Sequence, residues 1–327
     1  MEVVLHIGAH RTASTTFQAF LEANTARLRS RGIGCWTPER TRGGLFSGLI
    51  RRPEDITLQL EERAARSSGL IRLELERHAG MGVSHLVVSE ENMIGAVRNN
   101  LRARSFYPLL DERLMRFRDG FGDAATRIVL TVRSYDAYWS SALAYAVARG
   151  ARLPDAGLLD RLVTQPRRWR HVVQEVAQCF PKAEIVVLPF ERFAGRPETQ
   201  LEVMTGQGLP KRGLTGHRDW RNPSPALPAL RRLLSDRISL PVDRLMPAGD
   251  GRWMPFDVDQ RMEFGLAYHS DLSWLRAGAD GFARFVEDPK APMTEPKITG
   301  PGELAAEQAP APDQRGHRDE GPKRAMV

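Results

Sequence analysis

The stretch VVLHIGAHRTASTTFQAFL, residues 3–21, sets the fold class. Val3–Ile7 is a short apolar run that ends at Gly8, the pattern of a buried strand. Between Ser14 and Arg31, Phe17, Phe20, Leu21 and Leu28 recur at helical spacing, and Gly32 supplies a C-terminal stop. The chain therefore opens strand, loop, helix. A loop in that position suits an anion: the first N–H groups of a helix lack partners, converge on one spot and sit at the positive end of the helix dipole. Ser14, Thr15 and Thr16 add hydroxyls, and Arg11 adds a fixed cationic fork. This is not a Walker A loop, because GxxxxGK[ST] requires Gly and Lys where Ala13 and Ser14 stand. The same residues would also suit an ordinary capped helix, since Ser and Thr are good N-caps.

Working outward, the same alternation recurs. His85–Ser89, Arg127–Val132 and Glu184–Leu188 are further short strands rich in β-branched residues. Helices are expected over Glu54–His78 (one long or two shorter), Tyr135–Arg149 and Pro166–Phe180, then as short pieces to about Thr205. Gly206–Pro228 reads as a long loop, with helices again over Ala229–Leu240 and Val258–Trp274. Strands alternating with helices predict an α/β fold of three layers, α/β/α, around a central parallel sheet. One domain is expected over 1–287, with an acceptor-side insertion at about 36–80 between the first two predicted strands. Residues 288–327 are rich in Pro, Ala and charge and too poor in bulky apolar groups to offset their ordering entropy, which predicts a disordered tail.

Composition excludes several classes. No apolar run reaches the roughly 18 residues a transmembrane segment needs. The N-terminus lacks the features of a signal peptide, which makes the cytoplasm the expected compartment. Cys35 and Cys179, without a CxxC, make neither a disulfide framework nor a zinc site, and both are expected as packed thiols. The net charge of +7 suits anionic partners. No dense basic block with interleaved aromatics accompanies it, so a nucleic-acid partner is not expected, while the basic balance is compatible with peripheral contact at an anionic membrane. Oligomeric state has no signature here.

LHIGAHRTASTTFQAFL (5–21) resembles the 5′-phosphosulfate loop of sulfotransferases that use 3′-phosphoadenosine-5′-phosphosulfate (PAPS), especially bacterial ones. The resemblance implies a P-loop-NTPase-like sulfotransferase fold. It also implies that Arg11 binds the 5′-phosphate and bridging oxygen, with Thr12, Ala13, Ser14, Thr15 and Thr16 as the cradle. Ala13 replaces the usual Gly, which requires a φ that Ala can adopt, as is feasible at a helix start. Arg replaces the commoner Lys. A second match follows strand RIVLTV: Arg133 at its end and Ser141 eight residues on have the family's spacing for the 3′-phosphate. Arg suits bidentate phosphate contact at the carboxyl edge of a parallel sheet. Ser141 lies ~10 Å along the following helix, so both residues reach one phosphate only if strand and helix fold back on each other. VVSEEN (87–92), VVLPFERF (186–193), RNPSP (221–225) and YHSDLSWL (268–275) resemble further family segments, and Arg218, Arg221 and Asn222 fall in the loop that closes over the donor.

The implied chemistry is in-line sulfuryl transfer from PAPS, leaving PAP (adenosine 3′,5′-bisphosphate), to a hydroxyl or amine of a small-molecule, glycan or lipid acceptor, with no metal. Arg11 would stabilise the leaving 5′-phosphate. Glu91, following a strand, is the candidate base, with Glu90 turned elsewhere and His10 as the second candidate. Trp139 is placed either near the adenine or in the core. The 36–80 region should build much of the acceptor pocket, and Arg40, Arg42, Arg51 and Arg52 there would favour an anionic acceptor unless they form a solvated face. Two other readings stay open: another P-loop-like nucleotide-binding phosphotransferase, which would want an Asp where Arg133 stands, and a non-catalytic PAP- or anion-binding protein.

Overall fold

Val3, Val4 and Leu5 are almost wholly buried, because their strand lies inside a sheet covered on both faces. Val3, Leu5 and Ile7 join one apolar layer; Val4 joins the other, with Phe17, Phe20 and Leu21. The computed structural model describes residues 1–209, 213–216, 219–237, 241–242 and 245–287. The predicted tail at 288–327 lies outside them, as do His217 and Arg218.

The chain runs β1 (Glu2–His6), α1 (Ser14–Ala23), α2 (Thr25–Arg29), β2 (Ile33–Trp36), α3 (Pro38–Arg40), α4 (Leu58–Gly80) and β3 (His85–Ser89). It continues through α5 (Val97–Ala103), α6 (Leu110–Phe121), β4 (Ala125–Val132), α7 (Tyr135–Ala148), α8 (Ala156–Thr164), α9 (Trp169–Cys179) and β5 (Glu184–Pro189). After β5 come α10 (Phe190–Phe193), α11 (Pro197–Thr205), α12 (Leu227–Ser235), α13 (Val258–Arg276) and β6 (Arg284–Phe285). All six strands form one parallel sheet in the order β2-β3-β1-β4-β5-β6. The fold is mixed α/β, with α1, α2 and α11 contributing to one apolar layer and α4, α6, α7, α9, α12 and α13 to the other. Among the described residues no helix is long and apolar enough to cross a membrane.

Two details differ from the sequence-based expectation, and one alternative left open there is resolved. The helix predicted to Arg31 breaks at Asn24, whose side-chain amide donates to the Phe20 and Thr215 carbonyls (2.7 and 2.9 Å) while its oxygen accepts from Thr215 N–H (3.0 Å). A side chain that bonds nearby backbone competes with the helical ladder. The four-residue β2 pairs with β3, so the predicted insertion lies between β2 and β3. Within it, Thr57 caps a single long helix, and Ile71 and Leu75 of α4 join the layer that holds Phe117 and Phe121 of α6.

Candidate functional site

Four strand ends meet at one pocket. His10 and Arg11 follow β1, Glu91 follows β3, Arg133 follows β4 and Phe190 follows β5, and all five line it. In an open parallel sheet the crevice beyond the carboxyl ends binds ligands where the strand order reverses. That reversal is at β1, whose neighbours are β3 and β4.

The loop after β1 is anchored by the sheet. Thr131 N–H donates to the Gly8 carbonyl (2.6 Å) and Ala9 N–H to the Thr131 carbonyl (3.2 Å). Gly8 has φ +100°, and a Cβ there would stand 2.9 Å from the Cβ of Glu91, so the loop and Glu91 can meet only at glycine. Arg11 and Ala13 both have left-handed backbone, at φ 61° and 63°. Ala13 then passes directly into helical Ser14, a left–right alternation that turns successive N–H groups towards one side as an anion nest. Ala13 therefore occupies a conformation in which glycine would be at ease and an L-residue is disfavoured by about 1–2 kcal/mol, a cost the sequence did not reveal.

Three arginines line the pocket with no ion-pair partner among the described residues. Arg11 Nε donates to Ser141 Oγ (2.9 Å) and its Nη2 to Ser224 Oγ (3.0 Å), and the two serine oxygens are 2.6 Å apart. The Arg11 guanidinium lies 5.0 Å from the centre of the Tyr145 ring. Arg133 is buried, donates from Nη1 to the Arg11 carbonyl (2.7 Å) and stacks on Phe190 at 4.3 Å, while its Nε has no partner. Arg252 arrives with the segment that bridges Ala226. Among the described residues none of the three has a carboxylate within 4.0 Å. Burial holds Arg11 below the ordinary arginine range. Burial, reinforced by Arg252 and Arg11 and only partly opposed by the more distant Glu191 and Asp136, pushes Arg133 down to about 10. A buried guanidinium with an unpaired N–H gains most from an anion.

Two carboxylates follow β3. Glu90 is fully buried and faces Thr41 Oγ1 (2.7 Å) and the guanidinium of Arg42 (2.9 and 2.7 Å), turned away from the pocket as expected. Glu91 lines the pocket. It accepts from Gln18 Nε2 (2.7 Å) and from Arg42 Nη2 (3.0 Å). Burial raises its carboxyl pKa, but His10, Arg42 and the Gln18 hydrogen bond more than offset this and hold it below the usual carboxylate range.

No protein-family model matches this chain, and no curated protein matches it.

The predicted site residues divide into two groups. Arg11, Ala13, Ser14, Thr15, Glu91, His10, Arg133, Ser141, Arg221 and Asn222 all line the pocket. The Ser14 and Thr15 hydroxyls have no protein partner among the described residues. Thr12 and Thr16 serve the frame instead: Thr12 Oγ1 donates to the Ala9 carbonyl (2.6 Å), and Thr16 Oγ1 accepts from Arg221 N–H (2.9 Å), hooking the 219–224 loop to α1. Trp139 is buried among Phe106 and Tyr138 and belongs to the core. No residue of 36–80 lines this pocket, and Arg40, Arg42 and Arg52 there are paired with Glu74, Glu90 and Glu91, and Asp55. Their charge is spent within the fold. Ser224, Tyr145, Trp220 and Arg252 line the pocket without having been singled out. Ser224 lies inside the quoted RNPSP motif; Arg252 has no local signal, and its segment is placed by the bridge to Ala226 and by the buried Trp253 beside it.

Proposed function

We propose that this pocket binds PAPS and that the protein transfers its sulfuryl group to an acceptor hydroxyl or amine. One observation carries the reading: Arg11, Arg133 and Arg252, from three separate segments, converge on the nest at the start of α1 with no carboxylate within 4.0 Å among the described residues. Two phosphate-bearing positions on one ligand would account for that much unpaired positive charge in one place. The match of both loop and Arg133–Ser141 spacing to PAPS-dependent sulfotransferases, with their P-loop-like fold, supports the same reading.

In this account the donor supplies the sulfuryl group and a phosphate leaving group. Ser14, Thr15 and the backbone N–H groups at the start of α1 hold the 5′-phosphate, and Arg11 stabilises the charge that develops on it as the S–O bond breaks. Arg133, Ser141 and Arg252 hold the 3′-phosphate, with Arg221 and Asn222 on the closing loop. Trp220, half exposed at the pocket mouth and close against Gly195, offers a face for the purine. Glu91 accepts the proton of the attacking acceptor group. It is ionised at neutral pH, and its low pKa makes it a modest base that Arg42 and Gln18 keep oriented.

Incubation with 35S-labelled PAPS and a pool of small-molecule, glycan and lipid acceptors tests the reading. New labelled products, lost in Arg11→Ala and Glu91→Gln, are expected. No transfer into any fraction, with the protein folded, would count against catalysis and leave a binding role.

A further inference from the structure

His10 lines the pocket, and both ring nitrogens have partners: Nδ1 stands 3.3 Å from Tyr107 Oη and Nε2 stands 3.1 Å from Asn92 Oδ1. Which nitrogen carries the proton follows from a chain of buried groups behind it. Asn100 Oδ1 accepts from Tyr107 N–H (3.1 Å), so the amide nitrogen of Asn100 faces Tyr138 and donates to its Oη (2.8 Å). Tyr138, accepting there, sends its own hydrogen to Tyr107 Oη (3.4 Å). Tyr107 Oη also accepts from the backbone N–H of His10 (2.9 Å). With two donors already pointing at it, the Tyr107 hydroxyl has one remaining outlet for its hydrogen, the Nδ1 of His10. The reverse order would strand the Tyr138 hydrogen in the core, since Asn100 presents a donor to it, and an unpaired buried donor is costly. Nδ1 must therefore offer a lone pair, and the proton of the neutral ring sits on Nε2. Burial holds the ring below its usual pKa against the pull of Glu91, Asn92 and Glu90, with Arg42 acting in the same direction as burial.

We propose that His10 is a fixed hydrogen-bond donor to an anionic oxygen in the pocket rather than a proton acceptor, with Tyr107 the positioning residue that locks its Nε2–H tautomer through the chain Asn100–Tyr138–Tyr107. The donor role rests on the nucleotide reading above; the tautomer lock does not. Asn92 Oδ1 holds the Nε2–H until a ligand oxygen competes for it. His10 then has no free lone pair, and among the described residues lining the pocket Glu91 is left as the base candidate.

The experiment uses the full chain labelled with 15N-histidine, with His10→Gln to assign the ring signals. At neutral pH, His10 should show an unprotonated Nδ1 and a directly bonded proton on Nε2. A proton on Nδ1, or on both nitrogens, overturns the lock. Tyr107→Phe keeps the ring packing and should convert the single pattern into a mixture of tautomers; an unchanged pattern removes Tyr107 from the role. Calorimetry with adenosine 3′,5′-bisphosphate tests the donor half. His10→Gln retains an N–H and should bind within about twofold of wild type, whereas His10→Ala should bind about tenfold more weakly, as for a lost hydrogen bond to a charged partner. Equal weakening in both variants overturns the donor role. If the wild type shows the Nε2–H pattern but does not bind the nucleotide, the nucleotide reading and the donor role fall together and the lock stands.

Discussion

Arg11 Nε donates to Ser141 Oγ across 2.9 Å, joining residues 130 positions apart. The proposed reading gives each a different phosphate, and the fold brings the two side chains into contact. Ser224 closes the triangle, so the guanidinium is held by two hydroxyls and, among the described residues, by no carboxylate. Hydroxyls orient an arginine without neutralising it, which leaves its charge available to a ligand.

Ser141→Ala removes one of those hydroxyls. Folding stability should change by no more than about 1 kcal/mol, because Ser224 still bonds Arg11. Affinity for adenosine 3′,5′-bisphosphate should fall about tenfold, measured by calorimetry, since the direct contact is lost and Arg11 keeps only one of its two hydroxyl anchors.

Arg133→Met separates stability from binding. With its pKa pushed down to about 10, Arg133 carries a cost for being charged in the fold that is full at neutral pH. That cost disappears only as pH rises from 10 towards the unfolded value, so it gives no slope near pH 7. Thermal melts of Arg133→Met should match or exceed wild type without ligand, and the stabilisation by adenosine 3′,5′-bisphosphate should be lost. A large destabilisation without ligand would mean that its hydrogen bond to the Arg11 carbonyl outweighs the buried charge.

His6 gives the acid side of the stability profile. It is buried beneath the loop, bonded to Ser89 Oγ (2.8 Å), and burial lowers its pKa to about 4 despite the opposing pull of Glu91. A histidine held neutral in the fold stabilises fully above its unfolded pKa near 6.5. That contribution is lost as pH falls from there through about 4, up to roughly 3 kcal/mol. Urea unfolding of wild type should weaken across this window, and His6→Asn should flatten the slope.

Ala13 tests the loop backbone. Ala13→Gly relieves the left-handed strain but adds unfolded-state entropy, so stability should change by less than about 1 kcal/mol with ligand affinity preserved. Ala13→Val should destabilise by about 1–3 kcal/mol, because a β-branched residue fits poorly at φ 63°. Equal melting temperatures for the two variants would show that the nest relaxes at little cost.

Much of the sheet was legible because it is buried on both faces: HLVVS, RIVLTV and EIVVL are continuous apolar runs, and the strands fall on them. β2 and β6 were not, since four and two residues carry no usable pattern. In the site, alternation along an extended chain separated Glu90 from Glu91. Pairing was the hidden quantity. Arg42 looked as available as Arg133, yet it is matched by Glu90 and Glu91 at 2.7 and 3.0 Å, while Arg133 has no carboxylate within 4.0 Å among the described residues. Only the fold decides which arginines keep their charge for a ligand, and it adds Arg252 through a bridge that no local motif announces.

Whether the pocket takes a bisphosphate nucleotide is read directly by calorimetry of the full chain with adenosine 3′,5′-bisphosphate, set against ATP with Mg²⁺ under the same salt. One tight site for the bisphosphate is expected, with weak or no binding of ATP–Mg²⁺ and loss of the bisphosphate site in Arg133→Met. No binding of the bisphosphate, or tighter binding of ATP–Mg²⁺, would contradict the proposed reading.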